Sequence, residues 1–196
     1  MGVKISIGAD HVGYEIKQIL KKWLELKSIT IKDFGTHSLE SADYPVFGHQ
    51  VAVSVQNNES DFGILICGSG QGMSITANKY KEIRAALCWD KTIAILARQH
   101  NNANILVLPG RFLNIIEAMA ITEAFLTTKF EGGCHKRRIE MIEANLPNTT
   151  QLQTNGASIR NRVMKLYKQQ KLNSAVTKNA FGIKSKSLGG NRFKLG

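Results

Sequence analysis

DFGILICGSGQGMSITANK, residues 61–79, decides how the rest of the chain is read. Residues 62–66 form an apolar run of the length of a buried strand. Cys67-Gly68-Ser69-Gly70-Gln71-Gly72 follow, and a helical pattern opens at Met73. A strand that passes through alternating glycines into a helix start leaves several backbone N–H groups unpaired and pointing one way. Such a nest, backed by the positive end of a helix, holds an anion. A thiol stands at its mouth, and a cysteine beside unpaired N–H groups is expected to shift toward the thiolate. The pairing points to a base or nucleophile next to a pocket for developing negative charge.

The spacing also excludes two common phosphate loops. Gly68, Gly70 and Gly72 read GxGxG rather than the dinucleotide pattern GxGxxG, and no Lys-Ser or Lys-Thr follows them as in a nucleotide-triphosphate loop. The competing reading of Cys67 is a small buried hydrophobe at a strand end.

Outward from this stretch, apolar runs alternate with helical patterns. Strands are expected at residues 3–7, 29–34, 62–66, 83–88 and 104–108. Helices are expected between them and over 113–126 and 134–145, with Pro45 suited to a first helical turn. Alternation at this spacing implies a parallel sheet covered on both faces, a three-layer α/β/α domain. Asp10 and His11 fall where the first strand gives way to its helix, the edge at which such sheets bind ligands. Alternatively, Asp10 caps that helix and His11 is a surface turn residue.

Charge divides the chain unevenly. The net charge is +11, yet from Thr149 onward there are ten Lys or Arg and no Asp or Glu, whereas the first 148 residues carry 16 basic and 15 acidic residues. The expected organisation is a nearly neutral domain over 1–148 and a basic extension over 149–196, partly helical around Ile159, Val163, Leu166 and Tyr167 and disordered beyond. Three cysteines, Cys67, Cys88 and Cys134, fit neither a disulfide framework nor a metal-binding spacing, which suggests a reducing, cytoplasmic setting. No apolar run approaches the ~20 residues of a membrane span.

Two further clusters are candidates for chemistry. Arg98-Gln99-His100-Asn101-Asn102 lies at a helix end, where the dipole favours a cationic histidine; the plainer reading is a polar C-cap. Glu131-Gly132-Gly133-Cys134-His135-Lys136-Arg137-Arg138 is a glycine hinge opening a basic helix start. Cations there oppose the dipole and so suggest an anionic ligand; a solvated charge run is the alternative.

Taken together, GADHVGYEIK, DFGILICGSGQGMSITANK, IRAALCWD, ARQHNNAN and FEGGCHKRR resemble type B ribose-5-phosphate isomerase, in the family that includes galactose-6-phosphate isomerase subunits. The resemblance covers residues 1 to about 146 and implies a five-stranded parallel sheet of order 2-1-3-5-4. It implies a homodimer or tetramer with active sites shared between subunits, a phosphorylated pentose as substrate, and neither metal nor organic cofactor. The reaction implied is the aldose–ketose interconversion of ribose 5-phosphate and ribulose 5-phosphate, a step of the pentose phosphate pathway. By position, Cys67 corresponds to the base that takes a proton from the carbon next to the carbonyl. Ser69 and the N–H groups of Gly68, Gly70, Gln71 and Gly72 correspond to the enediolate-stabilising set. His100 corresponds to the acid that opens the sugar ring, Asp10 and Asn101 to contacts with sugar hydroxyls, and His11, Arg111 and Arg138 to the phosphate site.

The sequence departs from the family's pattern twice. The usual GGRH is here Gly132-Gly133-Cys134-His135, which removes one arginine from the phosphate, and Arg137 is placed to take over part of that contact. Family members also usually end near the position of Asn148. The competing functions are a 6-phosphohexose isomerase (allose- or galactose-6-phosphate), a phosphosugar-binding protein without turnover, and nucleic-acid binding through the basic extension.

Overall fold

The computed structural model describes residues 2–143, which fall within one compact unit, Met1–Ala144. The helix and disordered segment expected beyond residue 149 lie outside the described residues. Five strands, β1 (Lys4–Ala9), β2 (Thr30–Asp33), β3 (Phe62–Cys67), β4 (Ala85–Leu87) and β5 (Ile105–Pro109), form one parallel sheet of order β2-β1-β3-β5-β4. The connecting helices are α1 (Tyr14–Leu26), α2 (Tyr44–Gln56), α3 (Gln71–Ala77) and α4 (Lys91–Asn101), with α5 (Ile115–Thr127) and α6 (Gly133–Glu143) closing the unit. The expected class and strand order are both observed.

β3 sits at the centre, and its two-residue period divides the core. Ile64 and Ile66 pack on one face with Leu20 and Leu24 of α1, Ala94 and Ala97 of α4, and Ala118 and Phe125 of α5. Leu65 and Cys67 pack on the other with Val51, Ala52 and Val55 of α2 and Met73 and Ala77 of α3. Alternate side chains of a strand point to opposite faces, so a continuous apolar run suits a strand covered on both sides. Pairing of Ala9 with Ile66 and of Cys67 with Pro109 aligns the ends of β1, β3 and β5 at one carboxyl edge.

An ion pair anchors that edge. Lys17 on α1 is fully buried, with its Nζ 2.6 Å from Asp33 Oδ1 at the end of β2, and Lys21 Nζ lies 3.2 Å from the other carboxylate oxygen. Asp33 also accepts the Gly35 N–H at 3.0 Å. Burial alone would raise the Asp33 carboxyl, but the hydrogen bond and charge of Lys17, the Gly35 amide and the Lys21 hydrogen bond hold it below the ordinary carboxylate range. A depressed carboxyl stabilises the fold above its unfolded-state pKa, and that contribution is lost as pH falls through the folded value. Asp33→Ala leaves a buried ammonium unpaired and should destabilise the domain by ~3–5 kcal/mol, measurable by urea unfolding.

Candidate active site

The loop after β3 is shaped by its glycines. Gly70 sits at φ +76°, the left-handed region, and precedes α3 as its cap. A Cβ on Gly72 would lie 2.5 Å from the Tyr44 ring, so an aromatic side chain at the start of α2 rests directly on the loop. Sequence reasoning did not single out Tyr44; its signal is an aromatic beside Pro45 at a helix start.

Cys67 ends β3 and is 7% exposed. Its thiol donates a hydrogen bond to the carboxylate of Asp10, which is itself 5% exposed at the end of β1. Asp10 Oδ1 in turn accepts the N–H groups of Val12 at 3.0 Å and Gly13 at 2.9 Å. Asp10 thus caps the turn before α1, while the helix cap itself is Gly13 without a side-chain bond. The Gly68 and Gly70 amides face the Cys67 sulfur and favour its thiolate, as the sequence reading expected. They are outweighed. Burial first, then the hydrogen bond and charge of Asp10, push the Cys67 thiol up to about 11. The expected shift toward thiolate is therefore reversed in the structure, because Asp10 arrives from a strand 57 positions earlier in the chain.

The neighbouring candidates assemble around this pair. The Arg111 amide donates to Gly68 O at 3.0 Å, and the Gly110 amide to Cys67 O at 2.8 Å. The Arg111 side chain lies over the loop, with its Nε 3.3 Å from where a Cβ on Gly68 would stand. His11 Nδ1 accepts the Ala42 N–H at 3.3 Å, which leaves Nε2 as the ring's proton-bearing nitrogen. Ser69 and Gln71 are exposed at the mouth, linked by a 3.4 Å bond from the Gln71 amide to Ser69 Oγ.

The other candidates stand elsewhere. α4 runs back antiparallel to the strands, so His100 and Asn101 at its end reach the amino edge, just before β5 begins at Ile105. β3 spans six residues between the two edges, roughly 17 Å at a strand's rise per residue. Glu131 N–H donates to Gln99 O at 3.1 Å and brings the start of α6 to this place, with Arg137 and Arg138 exposed on that helix. His100 stacks on His135 with ring centroids 4.2 Å apart and planes 4° from parallel. Arg98 fixes the end of α4. Its guanidinium lies 5.0 Å and 5.6 Å from the Phe62 and Phe125 ring centroids and donates to Thr128 O, Asn102 Oδ1 and Ala103 O. One copy of the domain therefore holds its candidates in two separate groups, each a candidate half-site. Asp10, His11, Cys67, residues 68–72 and Arg111 form one; His100, Asn101, Arg137 and Arg138 belong to the other.

Residues 5–142 match the family model described as Ribose/Galactose Isomerase. The chain belongs to the ribose/galactose isomerase family. Within that family it is 43% identical over 141 residues to ribose-5-phosphate isomerase B of Escherichia coli, covering 72% of this chain and 95% of that protein. A ribose 5-phosphate isomerase from Thermotoga maritima superposes with a TM-score of 0.71 at 52% identity, covering 73% of this chain and 99% of that one. Ribose-5-phosphate isomerase B of Mycoplasma genitalium, solved with bound ribulose-5-phosphate, does so with 0.70 at 43% identity, covering 73% and 95%.

Because Asp10 raises the thiol, removing its charge should lower it. Asp10→Asn is expected to speed alkylation of Cys67 by iodoacetamide near neutral pH when no substrate is added. The pH–rate profile of alkylation should move to lower pH, as read by mass spectrometry of the Cys67 peptide.

Proposed function

We propose that this chain is an aldose–ketose isomerase interconverting D-ribose 5-phosphate and D-ribulose 5-phosphate through an enediolate, as in the pentose phosphate pathway. One observation carries the reading: the Cys67 thiol, hydrogen-bonded to Asp10, stands beside the glycine loop at the carboxyl edge. The ribulose-5-phosphate complex of the Mycoplasma relative supports the choice of sugar. Cys67 removes the proton from C2 of the open-chain aldose and returns a proton at C1, while the O2 hydroxyl proton passes to O1 across the enediolate, leaving the carbonyl at C2. Ser69 and the loop amides hold the enediolate oxygen, with the loop's left-handed Gly70 setting their direction. Asp10 orients the thiol and receives a sugar hydroxyl. His11 and Arg111 bind the phosphate with Arg138.

The two half-sites support a homodimer in which each active site takes Cys67 from one copy and the partner subunit's His100, Asn101 and Arg138. Exposed apolar side chains on α2 and α3, Val46, Val53 and Ile75, suit burial against a second copy. The domain then works without residues 149–196, in the cytoplasm and with no metal or organic cofactor.

A panel assay of pentose and hexose phosphates tests the reading. Turnover is expected with ribose 5-phosphate; none with any aldose phosphate would overturn it. The second reading, a 6-phosphohexose isomerase, rests on the family's own breadth and predicts that hexose 6-phosphates are preferred. Cys134 is exposed on the first turn of α6, on one face with Arg137 and Arg138. With Arg137 compensating in part, Cys134→Arg should lower the KM for ribose 5-phosphate by less than the ~10-fold of a full charge-assisted contact and leave kcat nearly unchanged.

A further inference from the structure

The second half-site contains a three-residue donor set of which the proposed reaction uses only His100. Glu131 Oε2 lies 3.7 Å from His135 Nε2 and 4.0 Å from His100 Nε2, and one donor atom from each of the three residues lies within 4.8 Å of the other two. Neither imidazole reaches the carboxylate at hydrogen-bonding distance. The gap has another use. Bonds of 2.0–2.2 Å to a tetrahedral zinc-class ion place ligand atoms ~3.4 Å apart, so the three need to close by some tenths of an ångström to at most ~1.4 Å. Two imidazoles and one carboxylate are a zinc-type ligand set that leaves a fourth position open. The side chains are 41%, 48% and 18% exposed for His100, Glu131 and His135, which gives an ion a path from solvent.

The backbone pre-forms the cluster. His100 is held by the last turn of α4, Glu131 by the hydrogen bond its N–H donates to Gln99 O, and His135 by the 3.0 Å hydrogen bond its N–H donates to Gly132 O. Gly132 at φ +69° and Gly133 at φ +54° turn the chain sharply between Glu131 and His135, so both side chains meet the same helix end. The two rings stack face to face beside the carboxylate, and a small rotation of each about its side-chain bonds turns the ring nitrogens toward a common point. Cys134, although adjacent in sequence, is exposed and outside the donor set.

We propose that His100, Glu131 and His135 bind one divalent transition-metal ion of the zinc class. On the reading that His100 opens the sugar ring, occupation withdraws it from the substrate, so the ion inhibits the isomerase. Catalysis has no need of it.

The test uses the full-length chain titrated with Co2+ and Zn2+, with bound metal counted after desalting and Co2+ ligation followed by its visible absorption. One ion per chain is expected. His135→Ala and, independently, the more conservative Glu131→Gln should each weaken binding by at least ~100-fold, since even outer-shell partners of a metal ligand are worth 10- to 100-fold. Cys134→Ser should leave it intact. Isomerase activity should fall with occupancy, recover on adding a chelator, and become metal-insensitive in both variants, each compared with its own metal-free rate. Absence of stoichiometric binding, or binding that survives both variants, would overturn the site. So would binding that is lost with Cys134→Ser. Stoichiometric binding that both variants abolish but that leaves activity untouched would uphold the site and remove His100 from the reaction.

Discussion

Cys67→Ala is expected to lower kcat by ~10⁴-fold or more, the upper range for loss of a positioned general base, with little change in substrate affinity. The expectation rests on where the thiol stands and on how strong a base it becomes. A group pushed up to about 11 is almost wholly protonated at neutral pH, yet its rare thiolate is a strong proton acceptor. A carbon acid next to a carbonyl needs such strength, so population is exchanged for basicity. The exchange has a signature. The pH dependence of kcat/KM reports groups of the free enzyme, so the wild-type value should climb from neutrality toward the alkaline limb. In Asp10→Asn the rise should begin at lower pH, because the charge that raises Cys67 is gone, while the maximum falls with the lost sugar contact. Cys67→Ala should abolish the climb. Near-normal turnover in Cys67→Ala, or a pH profile unmoved by Asp10→Asn, would remove Cys67 from the role of base. Competition binding of a sugar-phosphate inhibitor separates lost chemistry from lost binding.

What the sequence disclosed, and what it hid, follows from the range over which residues act. The central strand, the glycine loop and the helix behind it are local, and residues 62–72 announce them by composition alone. The strand order needed the family resemblance, since period and length do not say which strands neighbour. Lys17 was illegible: it interrupts the Ile16, Leu20, Leu24 stripe of α1 as an ordinary solvent-facing lysine would, and only Asp33 on the next strand makes its burial tolerable. Ile19, an apolar residue one position before Leu20, is 46% exposed. The protonation of Cys67 was misread for the same reason. The amides that favour its thiolate lie within three residues, whereas the carboxylate that opposes it comes from β1. His100 was placed correctly at a helix end, and the resemblance implied sites shared between subunits, but which sheet edge it reaches follows only from the direction of a crossover helix. A helix that follows a parallel strand returns to the amino edge, so its last residues cannot meet the carboxyl edge of their own sheet.

That separation yields the second large effect, which concerns pairs of inactive proteins. Cys67→Ala and His100→Ala should each be nearly inactive as pure homodimers, because every site then lacks one of its two proton-handling groups. A heterodimer of the two differs. One of its sites joins the intact Cys67 of one chain to the intact His100 of the other, and the second site lacks both. Random reassortment of equal amounts gives half heterodimers with one working site in two, so activity should return to about a quarter of wild type for a closed two-fold dimer. The mixture must exchange subunits first, by mild denaturation and refolding or by co-expression with two affinity tags. Isolated heterodimer should then show about half the wild-type kcat per dimer, with an unchanged KM at the working site. Two mutations in one half-site, Cys67→Ala with Asp10→Ala, should fail to complement each other in any mixture. If the first pair also fails although heterodimer is recovered, the half-sites do not meet across a dimer, and His100 acts elsewhere.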